Sequence, residues 1–131
     1  MTKPIYFPPR ELAVMSVLWR LGSASVTEVR DVLDEPLAYT TVLSALQTLE
    51  EKGCVRHESE GRAYRYFPTV DAERAGTSAI TQIRERIFHG SAEKLFARIV
   101  EDKRLSREEL ERMKKLLSSR LLEMREGEKG K

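Results

Sequence analysis

A single cysteine, Cys54, stands in these 131 residues, so no disulfide can form within the chain. A lone thiol fits a reducing compartment, and the cytoplasm is the expected location. No apolar run approaches the roughly 20 residues that a membrane-spanning helix needs. No signal-peptide pattern opens the chain, so no direct membrane association is expected. There is no glycine-rich phosphate loop and no HExxH helix. Cys54 and His57 are the only close nucleophile–base pair, and residues three apart on a strand point to opposite faces. An enzyme is therefore not expected. Cys54, His57 and His89 are too scattered for a structural zinc pattern, and no metal or other cofactor is expected. Strong charge of one sign is missing as well. The net charge is +2; residues 1–70 hold eight Lys/Arg against nine Asp/Glu, and residues 71–131 hold fifteen against twelve. Charge alone does not point to nucleic acid, so any phosphate contacts must come from local cations, backbone amides and hydroxyls.

What is present centres on residues 39–53. Val42, Ala45, Leu46 and Leu49 recur at helical spacing, which predicts a helix over 40–52 with one stripe facing a core. The opposite stripe carries Thr40, Thr41, Ser44, Gln47 and Thr48, not the Glu/Lys pairs of an ordinary solvated face. Short hydroxyls and an amide can bond to base edges and phosphates without holding a helix away from a groove. Gly53 supplies a left-handed stop.

The flanking segments suit that reading. Residues 1–8 form a loop or arm with prolines at positions 4 and 8, and Pro9 fits the first position of a helix. Leu12, Val14, Met15, Leu18 and Trp19 give that helix an apolar side, with Trp19 in the core, and Gly22 ends it. Ser25 and Glu28 form a capping box. It opens a short helix with Val29, Val32 and Leu33 inward, broken at Asp34-Glu35-Pro36. A short helix, a turn and a polar-faced helix make a helix-turn-helix. Cys54–Glu58 then alternates as a strand, Ser59-Glu60-Gly61 turns, and Ala63–Phe67 returns, closed by Pro68. Arg62 stands beside the tip glycine, where it can lie along a phosphate backbone or reach a minor groove.

From Asp71 the pattern is helical. One helix runs to about Phe88, with Ile80, Ile83 and Ile87 on one face, and stops at Gly90. Ser91 caps another that carries Leu95, Phe96, Ile99 and Val100. Ser106 and Glu109 form a second capping box before a helix with Leu110, Met113, Leu117, Leu121 and Met124. The tail, 127–131, is expected to be disordered. Three amphipathic helices of about 55 residues make a poor core alone. A second copy would cover their stripes, so a homodimer is expected.

The expected fold is thus mainly α with a small antiparallel β wing. Residues 1–70 are a winged helix-turn-helix DNA-binding domain, and residues 71–131 are a three-helix dimerisation domain. The candidate DNA-binding residues are Tyr39, Thr40, Thr41, Ser44, Gln47, Thr48, Lys52, Arg62 and Arg65. The candidate dimer interface is Ile80, Ile83, Ile87, Leu95, Phe96, Ile99, Leu110, Met113, Leu117 and Leu121. The expected partners are double-stranded operator DNA and a second copy. Alternatives are a winged-helix module that binds protein, and a thiol- or metal-responsive regulator using Cys54.

Several pieces together resemble the penicillinase-repressor family of bacterial transcriptional regulators, the BlaI/MecI/CopY type. They include Val14-Met15 with Leu18-Trp19, Ala38-Tyr39-Thr40-Thr41-Val42 and Leu49-Glu50-Glu51-Lys52-Gly53. Gly61-Arg62-Ala63-Tyr64, Phe88-His89-Gly90-Ser91 and Leu105–Leu110 continue the match. The resemblance implies a winged-helix domain, a helical dimerisation domain and repression from an operator. It assigns base and phosphate contacts to Thr40, Thr41, Ser44 and Thr48. Relatives often carry Lys or Arg at two of these positions, here Thr40 and Thr48. Family members are commonly released through a membrane-bound zinc protease sensor, with cleavage at an Asn-Phe pair. Arg98-Ile99 stands there in this chain, which weighs against that partner. The C-terminal cysteine cluster of copper-responsive relatives is absent.

Overall fold

A computed structural model describes residues 5–130. The expectations for residues 1–4 and for Lys131 lie outside the described residues. The elements run α1 (Pro9–Leu21), β1 (Ala24–Ser25), α2 (Val26–Val32), α3 (Tyr39–Glu51), β2 (Val55–Glu60), β3 (Ala63–Pro68), α4 (Ala72–Arg86), α5 (Ala92–Val100) and α6 (Arg107–Lys129). The chain divides into two compact units, Met1–Gln82 and Ile83–Lys131, and the division falls inside α4.

In the first unit, Pro9 opens α1 with a pre-set φ and no amide hydrogen to satisfy. Gly22, at φ 85°, closes it by donating its N–H to the Leu18 carbonyl. Val14, Met15, Val17 and Leu18 are buried. Leu12 departs from expectation: it is exposed, because the inward stripe is centred on 14, 15 and 18 and position 12 lies well round the helix. Trp19 sits at the margin of the core, half-buried against Phe7, and its indole N–H donates to the Val70 carbonyl at 2.8 Å.

Both halves of the Ser25/Glu28 capping box form, each at 3.2 Å. The extended backbone that an N-cap requires also lets Ala24 and Ser25 pair with Tyr66 and Arg65. The sheet therefore has a third, two-residue strand that the sequence pattern did not predict, in the order β1-β3-β2. β2 runs two residues further than expected, to Glu60, pairing Val55 with Pro68 and Glu60 with Ala63. The reversal is Gly61-Arg62 alone, with Gly61 at φ 62°, as a two-residue hairpin with glycine first demands.

α3 buries Val42, Ala45, Leu46 and Leu49, and Gly53 at φ 79° turns the chain into β2. Each fully buried Val or Leu contributes about 1.5–3 kcal/mol, whereas a surface ion pair contributes at most about 1 kcal/mol. The aliphatic stripe, not its polar surface, holds α3 in place. Its neighbours are Val14, Met15, Leu18, Val29 and Tyr66, all buried.

In the second unit, α5 begins at Ser91, whose Oγ accepts from the Lys94 amide at 3.1 Å. The turn before it places His89 at φ 51° and Gly90 at φ 87°, both left-handed. α6 begins at Ser106, whose Oγ accepts from the Glu109 amide at 3.0 Å. Among the described residues only that half of the expected Ser106/Glu109 capping box is made. α6 runs through Gly127 to Lys129, so the tail expected to be disordered from position 127 is helical over 127–129. None of the described residues 83–130 is buried.

Candidate nucleic-acid interface

With α3 pinned by its apolar stripe, its other side is set outward. Tyr39, Thr40, Ser44 and Gln47 are exposed; Thr41 and Thr48 are half-buried. Among the described residues, none of these six side chains makes a hydrogen bond within the protein. Other hydroxyls in the unit differ among themselves: those of Ser16, Thr27, Ser59 and Thr77 likewise make no hydrogen bond among the described residues, whereas others do. Thr69 Oγ1 donates to the Gly53 carbonyl at 2.6 Å, and Thr81 Oγ1 donates to the Thr77 carbonyl at 3.0 Å. The α3 hydroxyls leave their donors and acceptors unused within the described residues.

A shallow notch runs along this face, lined by Arg10, Glu11, Thr40, Thr41, Ser44, Ala45 and Thr48. Arg10, in the first turn of α1, was not among the sequence candidates. Its guanidinium lies loosely, 4.0 Å from Glu35, and stays half-exposed. Only tertiary packing brings it to α3, so no local signal marks it. Lys52 closes the far end of α3 and is occupied: its Nζ lies 2.5 Å from Glu11 Oε1.

The hairpin is tied to the C-terminal end of α3. His57 Nδ1 lies 2.7 and 2.8 Å from the two Glu50 carboxylate oxygens, and its ring packs on Tyr64 and Tyr66 at centroid distances of 4.4 and 5.7 Å. Arg62 projects from the tip, exposed, and among the described residues it makes no hydrogen bond or ion pair. Arg65 is different. Its Nε donates to Glu60 at 2.5 Å, Nη2 to Glu28 at 2.9 Å and Nη1 to Ser23 at 3.1 Å. The Glu60 and Glu28 carboxylates hold the Arg65 guanidinium more firmly protonated than usual. Arg65 in turn holds the Glu28 carboxyl below the usual glutamate range, helped by the Ser25 amide. Arg56 stacks on Phe67 at 4.3 Å and pairs with Glu58.

Of the dimer candidates, Ile80, Ile83, Ile87, Phe96, Ile99, Leu110, Leu117 and Leu121 are exposed, and Leu95 and Met113 are half-buried. Leu116, Leu122 and Met124 on α6 are exposed too. Cys54 is buried, and burial pushes its thiol pKa up, away from the reactive thiolate. Among the described residues no three His, Cys, Asp or Glu side chains are grouped to hold a metal ion. No described helix is long and apolar enough to cross a membrane.

Helices on a three-stranded antiparallel sheet, with a projecting hairpin after a polar-faced helix, define a winged helix-turn-helix fold. A MarR family protein from Bacillus stearothermophilus shares the fold, with TM-score 0.53 and 19% identity over 92% of this chain and 76% of that one. The family model of the penicillinase repressor matches residues 7–119, and the chain belongs to that family of transcriptional repressors, which are not enzymes. The penicillinase repressor of Bacillus licheniformis is 28% identical over 109 residues, which is 82% of this chain and 85% of that protein. The solution structure of the Bacillus licheniformis BlaI monomeric form in complex with the blaP half-operator is 32% identical over 56% of this chain and 93% of that chain, with TM-score 0.48.

Proposed function

We propose that this repressor binds a palindromic, double-stranded operator as a homodimer. In this reading α3 lies in the major groove, and the β2–β3 hairpin follows the adjoining backbone. The observation that carries it is the row Thr40, Thr41, Ser44, Gln47 and Thr48, directed outward on a helix whose other side is buried. Burying such groups in an interface without partners costs free energy, so a protein partner would need matching polar groups along the whole row. A DNA groove offers them at every base pair. Arg62, which makes no ion pair among the described residues, and Arg10, held only loosely at 4.0 Å from Glu35, would meet phosphates, and Lys52 would first leave Glu11.

Dimerisation is supported by the second unit. A segment of this size with no buried residue lacks a core of its own. Leu110, Met113, Leu117, Leu121 and Met124 form a single stripe along α6, and Phe96 and Ile99 expose apolar surface on α5. A second copy supplies an identical stripe, which a two-fold interface requires. In this reading the chain to about residue 70 reads DNA and residues from 71 pair the protomers. Two copies of α3 then face half-sites about one helical turn apart.

Selection of bound fragments from random duplexes tests both parts. A two-fold-symmetric consensus, bound less tightly as salt rises, is the expected result. Binding to no duplex at low ionic strength would refute the DNA reading. An asymmetric single site bound by a sedimenting monomer would refute the dimer.

A further inference from the structure

Arg65 spends its guanidinium inside the protein. Its three nitrogens donate to three separate segments: Ser23 in the turn before β1, Glu28 in the first turn of α2, and Glu60 at the end of β2. Its backbone is paired as well, opposite Ser25 on β1 and Glu58 on β2. Glu28 is likewise divided, since its second oxygen accepts from the Ser25 amide at 3.2 Å. The outer face of the hairpin is thus fastened to the start of α2, while His57 and Glu50 fasten its inner face to α3. From these contacts we infer that Arg65 is a positioning residue: it fixes the angle of the hairpin on the helix-turn-helix and thereby seats Arg62, without touching DNA itself.

The planar fork of Arg65 is suited to this task, because its N–H groups leave in fixed, different directions. A lysine, with one ammonium point, cannot serve Ser23, Glu28 and Glu60 together. A phosphate oxygen approaching Arg65 would compete with two carboxylates already seated. The inference rests on the DNA-binding reading for its consequence, though not for the fastening itself.

The test uses the full chain and the duplex recovered by random selection. Arg65→Ala is expected to weaken binding roughly three- to tenfold, because exposed ion pairs are lost and Arg62 is seated less firmly. Amide exchange across Glu58–Arg65 is expected to quicken. Glu28→Gln removes one carboxylate without altering Arg65, and its effects should run the same way and be smaller. Arg65→Glu alone should be worse than Arg65→Ala, and adding Glu28→Arg should recover most of that loss, judged against Glu28→Arg alone. A slope that falls by about one per protomer, with hairpin exchange unchanged, would make Arg65 a phosphate contact and overturn the inference. Failure of the reversed pair to rescue would overturn it too. If the wild-type chain binds no duplex, the DNA reading fails, and the exchange measurement still decides whether Arg65 fastens the hairpin.

Discussion

Thr41 and Ser44 offer a perturbation whose effects on folding and on binding separate cleanly. Ser44 is exposed on α3, and neither side chain has a hydrogen-bond partner among the described residues. Alanine is a better helix former than serine or threonine by about half a kcal/mol, so Ser44→Ala and Thr41→Ala should leave the melting temperature unchanged or slightly raised. At a base edge each lost neutral hydrogen bond costs about 1 kcal/mol. A homodimer loses it at both half-sites, so about 2 kcal/mol, or roughly 30-fold in affinity, is expected for either variant. Fluorescence anisotropy on the selected duplex and on a scrambled one is the assay. Affinity should fall on the first and hold on the second. Leu46→Ala is the opposite control: it empties a fully buried site and should cost about 2–5 kcal/mol of stability. Equal loss on both duplexes would assign the hydroxyls to phosphate. A melting temperature that drops as for Leu46→Ala would mean that they serve the fold.

The remaining expectations concern the tip, the second unit and acid. Arg62→Ala should weaken binding about equally on all sequences and lower the salt slope by roughly one per protomer; an unchanged slope would contradict a backbone contact. Leu117→Asp, in the α6 stripe, should give monomers in sedimentation and lose tight operator binding; an intact dimer would reject this stripe as the interface. Glu28 has a folded pKa lowered chiefly by Arg65, so its contribution to stability is present above the usual glutamate pKa of about 4.3 and is lost as pH falls through the lower folded value. Glu28→Gln should therefore shallow the acid limb of a stability–pH profile, and an identical limb would show that the pair contributes nothing measurable.

The helices and their ends were legible because each end carries its own local chemistry. Ser25 with Glu28, Ser91, Ser106, Gly22 and Gly53 act within a few residues of themselves, so spacing alone exposes them. The outward row on α3 was legible for the same reason, as the complement of a buried stripe. β1 was not, because two residues carry no period, and their pairing depends on β3 arriving from 40 positions later. The occupation of Lys52 by Glu11 and of Arg65 by Glu28 and Ser23 likewise joins residues far apart in sequence. So does the approach of Arg10 to α3. Long-range ion pairs leave no local pattern, and they decide which cations remain unpaired.

That distribution of cations leads to a last prediction. Residues 1–70 carry one more acid than base, and five of their eight Lys/Arg, Arg10, Arg30, Lys52, Arg56 and Arg65, lie within 4.0 Å of a carboxylate. The outward face of α3 holds no cation at all between Tyr39 and Glu51. Non-specific affinity should therefore be low, with discrimination resting on hydrogen-bonded hydroxyls. Adding charge to that face should raise affinity and erode discrimination. Thr40 is the better place, being exposed beside Arg10 in the notch. Thr48 is half-buried in the same notch, which Glu11 also lines, and Glu11 can capture a new ammonium there. Thr40→Lys should steepen the salt slope by about two per dimer and tighten binding to scrambled and selected duplexes alike, whereas Thr48→Lys should change the slope less. Glu11→Gln combined with Thr48→Lys should recover the difference, judged against Glu11→Gln alone, which also releases Lys52. A Thr40→Lys protein that gains only on the selected duplex would show that position 40 meets a base, and the division of labour argued for α3 would have to be redrawn.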